Sequence, residues 1–285
     1  MKKLLILSGK GGTGKTTTAA AFSRFSQAKA VADCDVDAPN LHLVAKMSSQ
    51  PTKSDFYGSK KAKIDTEKCI GCAACVDNCR FNALIKTDSG YTVSEYACEG
   101  CGVCTLVCPT GAAVMTDDVA GELVLYKEDV TFSTAMLKMG RGNSGLLVTA
   151  VKNALTSAAP DAELAIIDGS PGIGCPVIAS MNGVDMVLIV AEPSLSGLSD
   201  MKRILKTAEK FGTKTAVCVN KYDVSPQITD EIKKYCSELS VPFAGVIPYD
   251  KQVSEAINNG MSIADVECPA REAMIDVYKK TIAML

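Results

Sequence analysis

The sequence predicts a doubly wound α/β fold with a mostly parallel central sheet, interrupted by a small α+β module rich in cysteine. The sheet is indicated by short apolar segments, such as Leu4–Leu7 and Leu164–Asp168, which alternate with helix-like stretches and end in glycine or acidic residues. The module is indicated by eight clustered cysteines. We therefore expect an α/β domain made of residues 1–56 and 119–285, with residues 57–118 inserted into it.

The composition is that of a globular protein with no marked surface charge. The chain has 285 residues, of which 47% are hydrophobic and 22% charged, and its formal net charge is −2. No basic stretch indicates nucleic-acid binding, and no apolar run approaches the ~20 residues that span a bilayer. Thirteen cysteines, most of them clustered, favour metal ligands in a reducing compartment over disulfides. We expect a cytoplasmic protein that binds neither nucleic acid nor membrane.

Residues 9–16 are typical of a phosphate-binding loop. They read Gly-Lys-Gly-Gly-Thr-Gly-Lys-Thr between an apolar strand and a helix, so backbone N–H groups and a helix N-terminus can face one anion. Glycines permit close approach of the backbone, Lys15 supplies a charge for the β- and γ-phosphates, and the Thr16 hydroxyl suits Mg²⁺. The expected nucleotide-binding residues are Gly11, Gly12, Thr13, Gly14, Lys15, Thr16 and Thr17.

A second lysine, Lys10, makes residues 10–17 resemble the deviant Walker A motif of MinD/ParA-type ATPases, Lys-Gly-Gly-x-Gly-Lys-Thr-Thr. In that family the early lysine acts on the nucleotide of a partner subunit. The resemblance implies a P-loop NTPase fold, ATP and Mg²⁺ as ligands, a homodimer in the ATP state, and catalytic roles for Lys10 in trans and for Lys15. The alternative for Lys10 is a solvated loop lysine.

Acidic residues follow two of the predicted strands, at the edge of an open α/β sheet where ligands bind. Asp33 and Asp35 align with the Asp-x-Asp element of the same family, and the resemblance assigns Asp35 to the attacking water, a solvated loop acid being the alternative. Asp168 and the following residues 169–174 resemble Walker B joined to switch II. The resemblance implies that Asp168 holds Mg²⁺ through water.

Two residues are expected at the nucleotide base. In this superfamily, the asparagine after the strand that corresponds to residues 214–219 contacts adenine, so Asn220 is the base-recognition candidate. A turn-forming asparagine is the alternative. Pro248 follows the predicted strand at residues 243–247 and resembles the second base-edge loop of the family. Both assignments come from the resemblance.

The insert contains two runs with the spacing Cys-x2-Cys-x2-Cys-x3-Cys, at residues 69–79 and 98–108. This repeat is similar to the bacterial two-cluster ferredoxin, in which the fourth cysteine of each run crosses to the other 4Fe-4S cluster. The resemblance implies two ligand sets, Cys69, Cys72, Cys75 and Cys108 for one cluster and Cys98, Cys101, Cys104 and Cys79 for the other. Zinc is the alternative, which the short spacing and lack of histidine disfavour. Arg80 departs from the pattern, which has proline after the fourth cysteine.

Two further expectations concern the edges of the insert and a cysteine outside it. The apolar segments 62–64 and 112–115 are expected to pair as strands, which would bring the ends of the insert together. Cys175 lies seven residues after Asp168, a spacing similar to that of a cluster ligand in the nitrogenase iron protein. No second cysteine lies near residues 139–145, so an ordinary thiol is favoured.

These features predict a dimeric ATPase that couples MgATP to electron transfer through two 4Fe-4S clusters to an acceptor protein. Two alternatives remain open. One is an iron-sulfur or metal-cofactor assembly carrier, although such carriers usually have a Cys-x-x-Cys on the nucleotide domain, which this chain lacks. The other is a spatial-positioning ATPase like MinD or ParA, disfavoured because the last helix lacks a basic membrane-binding face.

Overall fold

The structure is a computed structural model and describes residues 1–45 and 47–285. Strands and helices alternate along this part of the chain. The strands are β1 (Lys2–Leu7), β2 (Ala30–Asp33), β3 (Thr52–Tyr57), β4 (Lys61–Ile64), β5 (Leu84–Thr87), β6 (Gly90–Val93), β7 (Ala113–Thr116), β8 (Val119–Lys127), β9 (Thr131–Leu137), β10 (Leu164–Asp168), β11 (Met186–Ala191), β12 (Lys214–Asn220) and β13 (Phe243–Ile247). The α-helices are α1 (Lys15–Ser26), α2 (His42–Ala45), α3 (Ala74–Asp77), α4 (Val103–Val107), α5 (Ser144–Ala158), α6 (Cys175–Met181), α7 (Leu195–Lys210), α8 (Pro226–Glu238), α9 (Lys251–Asn258) and α10 (Pro269–Met284).

The main sheet has nine strands in the order β13-β12-β11-β1-β10-β2-β9-β8-β3. Every neighbouring pair from β13 to β9 is parallel. β1 lies between β10 and β11, so the strand order reverses beside it, which is where open α/β sheets bind ligands. The α/β fold with a mostly parallel sheet predicted from the sequence is confirmed.

The central strands have uninterrupted apolar sequences because both faces of the sheet are covered. Leu4, Leu5, Ile6 and Leu7 have no exposed surface, and all six residues of β11 are buried. The residues on one face of these strands, including Leu4, Ile6 and Leu188, form a hydrophobic core together with α1 and α10. The polar residues that end the strands therefore lie on a rigid edge.

The chain divides into two compact units, which we call unit 1 and unit 2. Unit 1 comprises Met1–Lys53, Leu123–Met136 and Ser144–Leu285, and unit 2 comprises Ser54–Glu122 and Leu137–Asn143. The predicted insert, residues 57–118, lies within unit 2, which extends beyond it at both ends. In the described residues, no helix is both long enough and apolar enough to cross a bilayer.

Unit 2 contains two small antiparallel strand pairs. β4 pairs with β7, with Ala62 opposite Met115, so the predicted pairing of these segments is confirmed. β5 pairs with β6 in a tight hairpin. The buried core of unit 2 consists of small apolar residues and two cysteines, namely Ala62, Ile64, Ala83, Cys98, Cys104, Ala112 and Ala113.

Arg141 fixes the second stretch of unit 2, residues 137–143. Its guanidinium is almost fully buried and lies 2.8 Å from the carboxylate of Asp118 and 2.9 Å from that of Glu95. The Arg141 guanidinium also donates to the Glu95 carbonyl at 2.8 Å. A planar guanidinium with several donors suits such a site better than a lysine would. The sequence offered no role for this loop.

Candidate nucleotide and cysteine sites

The phosphate-binding loop connects β1 to α1. Gly12 and Gly14 have φ angles of +79° and +95°, in the left-handed region that favours glycine. A Cβ on Gly14 would lie 2.3 Å from Nδ2 of Asn220, so close approach excludes a side chain as well. Asn220 Nδ2 donates to the Thr13 carbonyl at 2.8 Å, and Lys221 Nζ donates to the Gly12 carbonyl at 3.2 Å. The end of β12 therefore braces the loop from the side.

Lys15 and Thr16, the first residues of α1, both contact Asp168 at the end of β10. Lys15 Nζ lies 2.6 Å from Asp168 Oδ1, and the Thr16 hydroxyl donates to Asp168 Oδ2 at 2.6 Å. Asp168 is fully buried, and this burial raises its pKa while the charge of Lys15 opposes the rise. A threonine hydroxyl beside a carboxylate is a donor set that suits Mg²⁺.

Asp33 and Asp35 have different surroundings. The buried carboxylate of Asp33 accepts the backbone N–H groups of Asp35, Asn40 and Leu41 at 2.9–3.0 Å. Asp35 instead lines the cleft, with Oδ2 at 3.9 Å from Lys15 Nζ. Asp33 therefore organises the loop after β2, and Asp35 presents its carboxylate to the space where a ligand would lie.

Both carboxylates are less acidic than in water. Burial and the nearby charge of Asp168 raise the pKa of Asp33 to about 7. Burial also raises the pKa of Asp35, while the charge of Lys15 limits the rise. A carboxylate with a raised pKa accepts a proton more readily, which suits a residue that takes one from water.

Lys10 is paired inside its own subunit. Its Nζ lies 2.6 Å from Glu192 Oε2 and also donates to the hydroxyls of Ser196 at 3.2 Å and Ser194 at 3.4 Å. Glu192 directly follows β11, and Ser194 is the N-cap of α7. Lys10 is therefore held at the edge of the cleft by side chains of its own chain.

The cleft has a volume of about 430 Å³, which is in the range of small-molecule sites. Its phosphate end is formed by the loop described above, and its other end by Asn220, Pro248 and Tyr249. The loop that carries Pro248 is held by Asp223, whose carboxylate accepts the N–H of Tyr249 at 2.7 Å. Apolar side chains complete this end, namely Val253, Ile257, Met261, Ile263 and Met274. An apolar slot with polar edges suits a planar base.

Residues 169–174, which we call the switch II segment, are tied to the phosphate loop and to the loop after β2. The N–H of Gly172 donates to the Ser8 carbonyl at 3.0 Å, and the Ser170 hydroxyl donates to the Cys34 carbonyl at 2.6 Å. Pro171 lines the cleft. The switch II segment therefore connects Ser8 and Cys34 to the start of α6.

The eight clustered cysteines line two separate cavities of unit 2. Cavity A is lined by Cys69, Cys72, Cys75 and Cys108. Cavity B is lined by Cys79, Cys98, Cys101 and Cys104. The fourth cysteine of each run thus lies at the cavity of the other run. Among the described residues, no three His, Cys, Asp or Glu side chains meet in a group suited to a metal ion.

The thiols within each cavity influence one another. Burial raises the pKa of Cys75, and the neighbouring Cys69 and Cys108 raise it further. Burial likewise raises the pKa of Cys104, to which Cys98 and Cys101 also contribute. In cavity A the interacting thiols include Cys108 from the second run, whereas those named for Cys104 in cavity B come from its own run.

Cys175 lies outside these cavities. It is exposed at the first position of α6, directly after the switch II segment. The remaining cysteines of unit 1, Cys34, Cys218, Cys236 and Cys268, are buried, as expected of packing residues.

Sequence reasoning missed four side chains that shape the nucleotide site, namely Glu192, Ser194, Lys221 and Asp223. Each follows β11 or β12, at the carboxyl edge where ligands bind, and that position was the available signal. Their partners lie far away in the sequence, and a pattern of residue types does not reveal such pairs.

Comparisons with known proteins agree with this geometry. A family model described as the CobQ/CobB/MinD/ParA nucleotide binding domain matches residues 4–263. An uncharacterized protein of Methanocaldococcus jannaschii, MJ0578, is 31% identical, covering 98% of this chain and 95% of that protein. The cytosolic Fe-S cluster assembly factor Nubp1 homolog of Drosophila sechellia is 21% identical, covering 99% of this chain and 81% of its own.

Among solved structures, the septum site-determining protein MinD of Pyrococcus horikoshii, complexed with Mg-ADP, is similar in fold. Its TM-score is 0.59 at 18% identity, with 99% of this chain and 96% of that chain covered. The family match spans the phosphate-binding loop, the switch II segment and the base end of the cleft. The nucleotide-binding ATPase predicted from the sequence is confirmed, and the chain belongs to the CobQ/CobB/MinD/ParA family.

Proposed function

We propose that this protein is a dimeric ATPase that couples the binding and hydrolysis of MgATP to electron transfer through two 4Fe-4S clusters in unit 2. The observation that carries the proposal is the sorting of eight cysteines into two cavities, each lined by four, in a chain with a nucleotide site. Four cysteine thiolates are the usual ligands of a 4Fe-4S cluster. The proposed partner is a redox protein that accepts the electrons.

The donors fit a cluster better than a single zinc ion. Each iron of a 4Fe-4S cluster takes one cysteine, so the four sulfurs surround the cluster, whereas the ligands of zinc converge on one point. The four cysteines of each set border a cavity, and no group among the described residues converges in the manner of a single-ion site. When bound, such clusters supply one-electron transfer.

At the nucleotide site, the side chains have separate tasks. Lys15 exchanges Asp168 for the β- and γ-phosphates, and Thr16 and Asp168 hold Mg²⁺. Asp35 orients the attacking water and accepts its proton, for which its raised pKa is suited. The phosphate loop, which Asn220 holds, orients the phosphates. The slot beside Pro248 orients the base.

Lys10 is proposed to act across the dimer. In the single chain it is held by Glu192 at 2.6 Å, so dimer closure has to exchange this carboxylate for a phosphate oxygen of the partner's nucleotide. The positive charge then stabilises the transition state of phosphoryl transfer. Hydrolysis removes that phosphate, and Lys10 returns to Glu192.

The first experiment counts iron and acid-labile sulfide in anaerobically purified protein. We expect about eight of each per chain, from two four-iron clusters. Cys72→Ser and Cys101→Ser each test one cavity and should each lose about half of the iron. Cys175→Ser is the matched control because Cys175 lines neither cavity, and it should keep all of it. Zinc in place of iron, or iron loss in Cys175→Ser alone, would contradict the proposal.

The second experiment tests coupling to ATP. The protein is reduced with dithionite, and its oxidation by a viologen dye is followed with ADP, with ATP or with a non-hydrolysable ATP analogue. We expect the ATP form to be oxidised at a rate at least several-fold different from the ADP form. Lys15→Met, which lacks the charge for the phosphates, should show no such dependence. An oxidation rate that is the same with every nucleotide would argue against coupling.

A second candidate function is delivery of an iron-sulfur cluster to other proteins. The resemblance to the Nubp1 homolog, named as an Fe-S cluster assembly factor, favours this candidate over nucleotide-driven positioning. The two functions differ in cluster retention. Incubation with an apo-ferredoxin should leave the clusters of an electron carrier in place, whereas an assembly factor would transfer iron and sulfide to the acceptor when ATP is added.

A further inference from the structure

Lys152 is a buried lysine that the nucleotide mechanism does not use. It lies on α5, is 8% exposed, and its ammonium donates to the backbone carbonyls of Ala179 at 3.0 Å, Ser180 at 2.8 Å and Asn182. These carbonyls belong to the C-terminal end of α6, where the helix itself provides no donors. An ammonium has three donors, and all three are used. Lys152 thus caps α6 from a neighbouring helix.

The ammonium also lies at the negative end of the α6 dipole. The titratable groups that face it are Cys34, after β2, and Lys3, on β1, neither of which is a carboxylate. Burial strongly raises the pKa of Cys34, so this thiol is neutral at physiological pH. The α6 carbonyls are therefore the groups that stabilise the charge of Lys152.

A second contact joins the same two helices at their N-terminal ends. A Cβ added to Gly145 would lie 3.3 Å from the Cys175 carbonyl and 3.6 Å from the Ala179 Cβ. The two contact positions on α5, residues 145 and 152, are seven residues apart. Residue 175, which begins α6, and residue 182, which follows it, are also seven residues apart. The two helices therefore run parallel and stay in register over about 10 Å.

The positions of these helices in the chain give the contact its significance. α6 starts directly after the switch II segment, residues 169–174, and α5 starts directly after residues 137–143 of unit 2. We infer that Lys152 is a positioning residue that locks α5 to α6, so that a nucleotide-dependent movement of the switch II segment reaches residues 137–143 along the chain. The inference rests on the proposed function in that the nucleotide state is taken to affect unit 2.

The test is hydrogen exchange with and without ATP in the iron-loaded protein. Lys152→Met keeps the length of the side chain but removes the donors, and Lys206→Met, at an exposed position on α7, is the matched control. In wild type and the control, ATP should change exchange in both the switch II segment and residues 137–150. In Lys152→Met, we expect the response of 137–150 to fall at least fivefold, with the switch II response and ATP affinity kept. A full response of 137–150 in this variant would overturn the inference.

Two further measurements test the inference even if the Lys152→Met variant fails to fold. Lys152→Arg retains donors for the carbonyls and should keep at least half of the wild-type response. Burial lowers the pKa of Lys152 to about 8, so in wild type a rise in pH from 7 to 9.5 should remove most of its charge. The response of residues 137–150, corrected for intrinsic exchange rates, should then fall at least fivefold. An unchanged response at pH 9.5 would refute the role of Lys152.

The outcome for Lys152 can be told apart from the outcome for electron transfer. If viologen oxidation depends on ATP equally in wild type and Lys152→Met, the role of Lys152 fails and the proposed function stands. If the rate of viologen oxidation in wild type does not depend on ATP while hydrogen exchange in residues 137–150 does, the proposed function fails and the role of the helix contact stands.

Discussion

The reactive side chains at the nucleotide site of unit 1 and at the cysteine cavities of unit 2 have different kinds of partner. In unit 1, charged side chains hold one another, since Lys15 contacts Asp168 and Lys10 contacts Glu192 at 2.6 Å each. In unit 2, thiols surround two cavities, and their hydrogen bonds include long ones from backbone N–H groups, such as that from Ala62 to the Cys98 sulfur at 3.5 Å. The first site is organised by its own residues, whereas the thiols of the second would be organised by the clusters proposed for unit 2.

The two cores explain this difference. Unit 1 buries large apolar side chains from its parallel sheet and from α1, including Phe132, Ile166 and Phe22. The main buried cluster of unit 2 is made of alanines, one isoleucine and two of the cysteines themselves, with partly buried Leu84, Val93 and Met115 packed against it. A unit of fewer than about 80 residues with so little apolar surface gains limited stability from burial alone. We therefore expect metal binding and folding to be coupled in unit 2 and to be independent in unit 1.

The strongest challenge to this comparison is removal of the iron that is proposed for unit 2. Chelation under anaerobic, reducing conditions should cause amides of residues 54–122 to exchange near their intrinsic rates, because unit 2 loses its principal source of stability. Amides of β1, β10 and β11 in unit 1 should keep their protection. Hydrogen exchange followed by mass spectrometry measures both in one sample. Unchanged protection of unit 2 in iron-free protein would remove the distinction between the two units.

A second prediction concerns Lys10, which is proposed to change its partner when the dimer closes. Lys10→Ala should lower the rate of ATP hydrolysis by about 10³–10⁵, the range for a charge supplied across a subunit interface, with ATP binding largely kept. Glu192→Gln should not lower the rate in this way, because it removes only the carboxylate charge that pairs with Lys10 in its own chain. Turnover and equilibrium binding of ATP measure both effects. Equal losses of activity in the two variants would point to a role within one subunit.

A third prediction concerns Asp35. Asp35→Asn should lower kcat by about 10²–10⁴ without weakening ATP binding, because the amide accepts no proton from water. The pKa of Asp35 is raised, and only the ionised carboxylate is a base. Hydrolysis by the wild type should therefore decline as the pH falls, starting at a higher pH than for a freely exposed aspartate. A kcat that stays constant down to pH 4 would assign the water to another group.

The smallest expected effect is at Asn220, which braces the phosphate loop. Asn220→Ala removes the donor to the Thr13 carbonyl and should weaken ATP binding about tenfold, or by ~1.4 kcal/mol. Asn259→Ala, at an exposed position after α9, is the control and should bind ATP as wild type does. Calorimetric titration with ATP gives both values. An Asn220→Ala variant that binds triphosphate normally would show that the loop of unit 1 needs no lateral support.

Elements with a strong local signal could be predicted from the sequence. The central strands were recognisable because burial on both faces demands uninterrupted apolar residues, as in Leu4–Leu7. The phosphate loop was recognisable because glycine is required where φ is positive, as at Gly12 and Gly14. The pairing of residues 62–64 with 112–115 followed from their positions at the two edges of the cysteine runs.

Other elements lacked such a signal. β3 reads Thr-Lys-Ser-Asp-Phe-Tyr, is largely exposed, and has neither an apolar run nor alternation. The partnerships of Lys10 with Glu192 and of Arg141 with Asp118 join residues far apart in the chain, so only the folded backbone brings them together. The same holds for Asn220, whose amide supports the phosphate loop in addition to facing the cleft.

The crossing of the fourth cysteines has a consequence for biosynthesis. Cavity A needs Cys108, which leaves the ribosome after every other thiol of the insert, and cavity B needs Cys79 from the opposite run. An unfinished chain that ends after residue 79 carries four thiols of the insert, and these belong to two different cavities. If the cavities hold the proposed clusters, metal captured at that stage would hold the wrong four sulfurs together, and correct loading would have to wait until translation has passed residue 108.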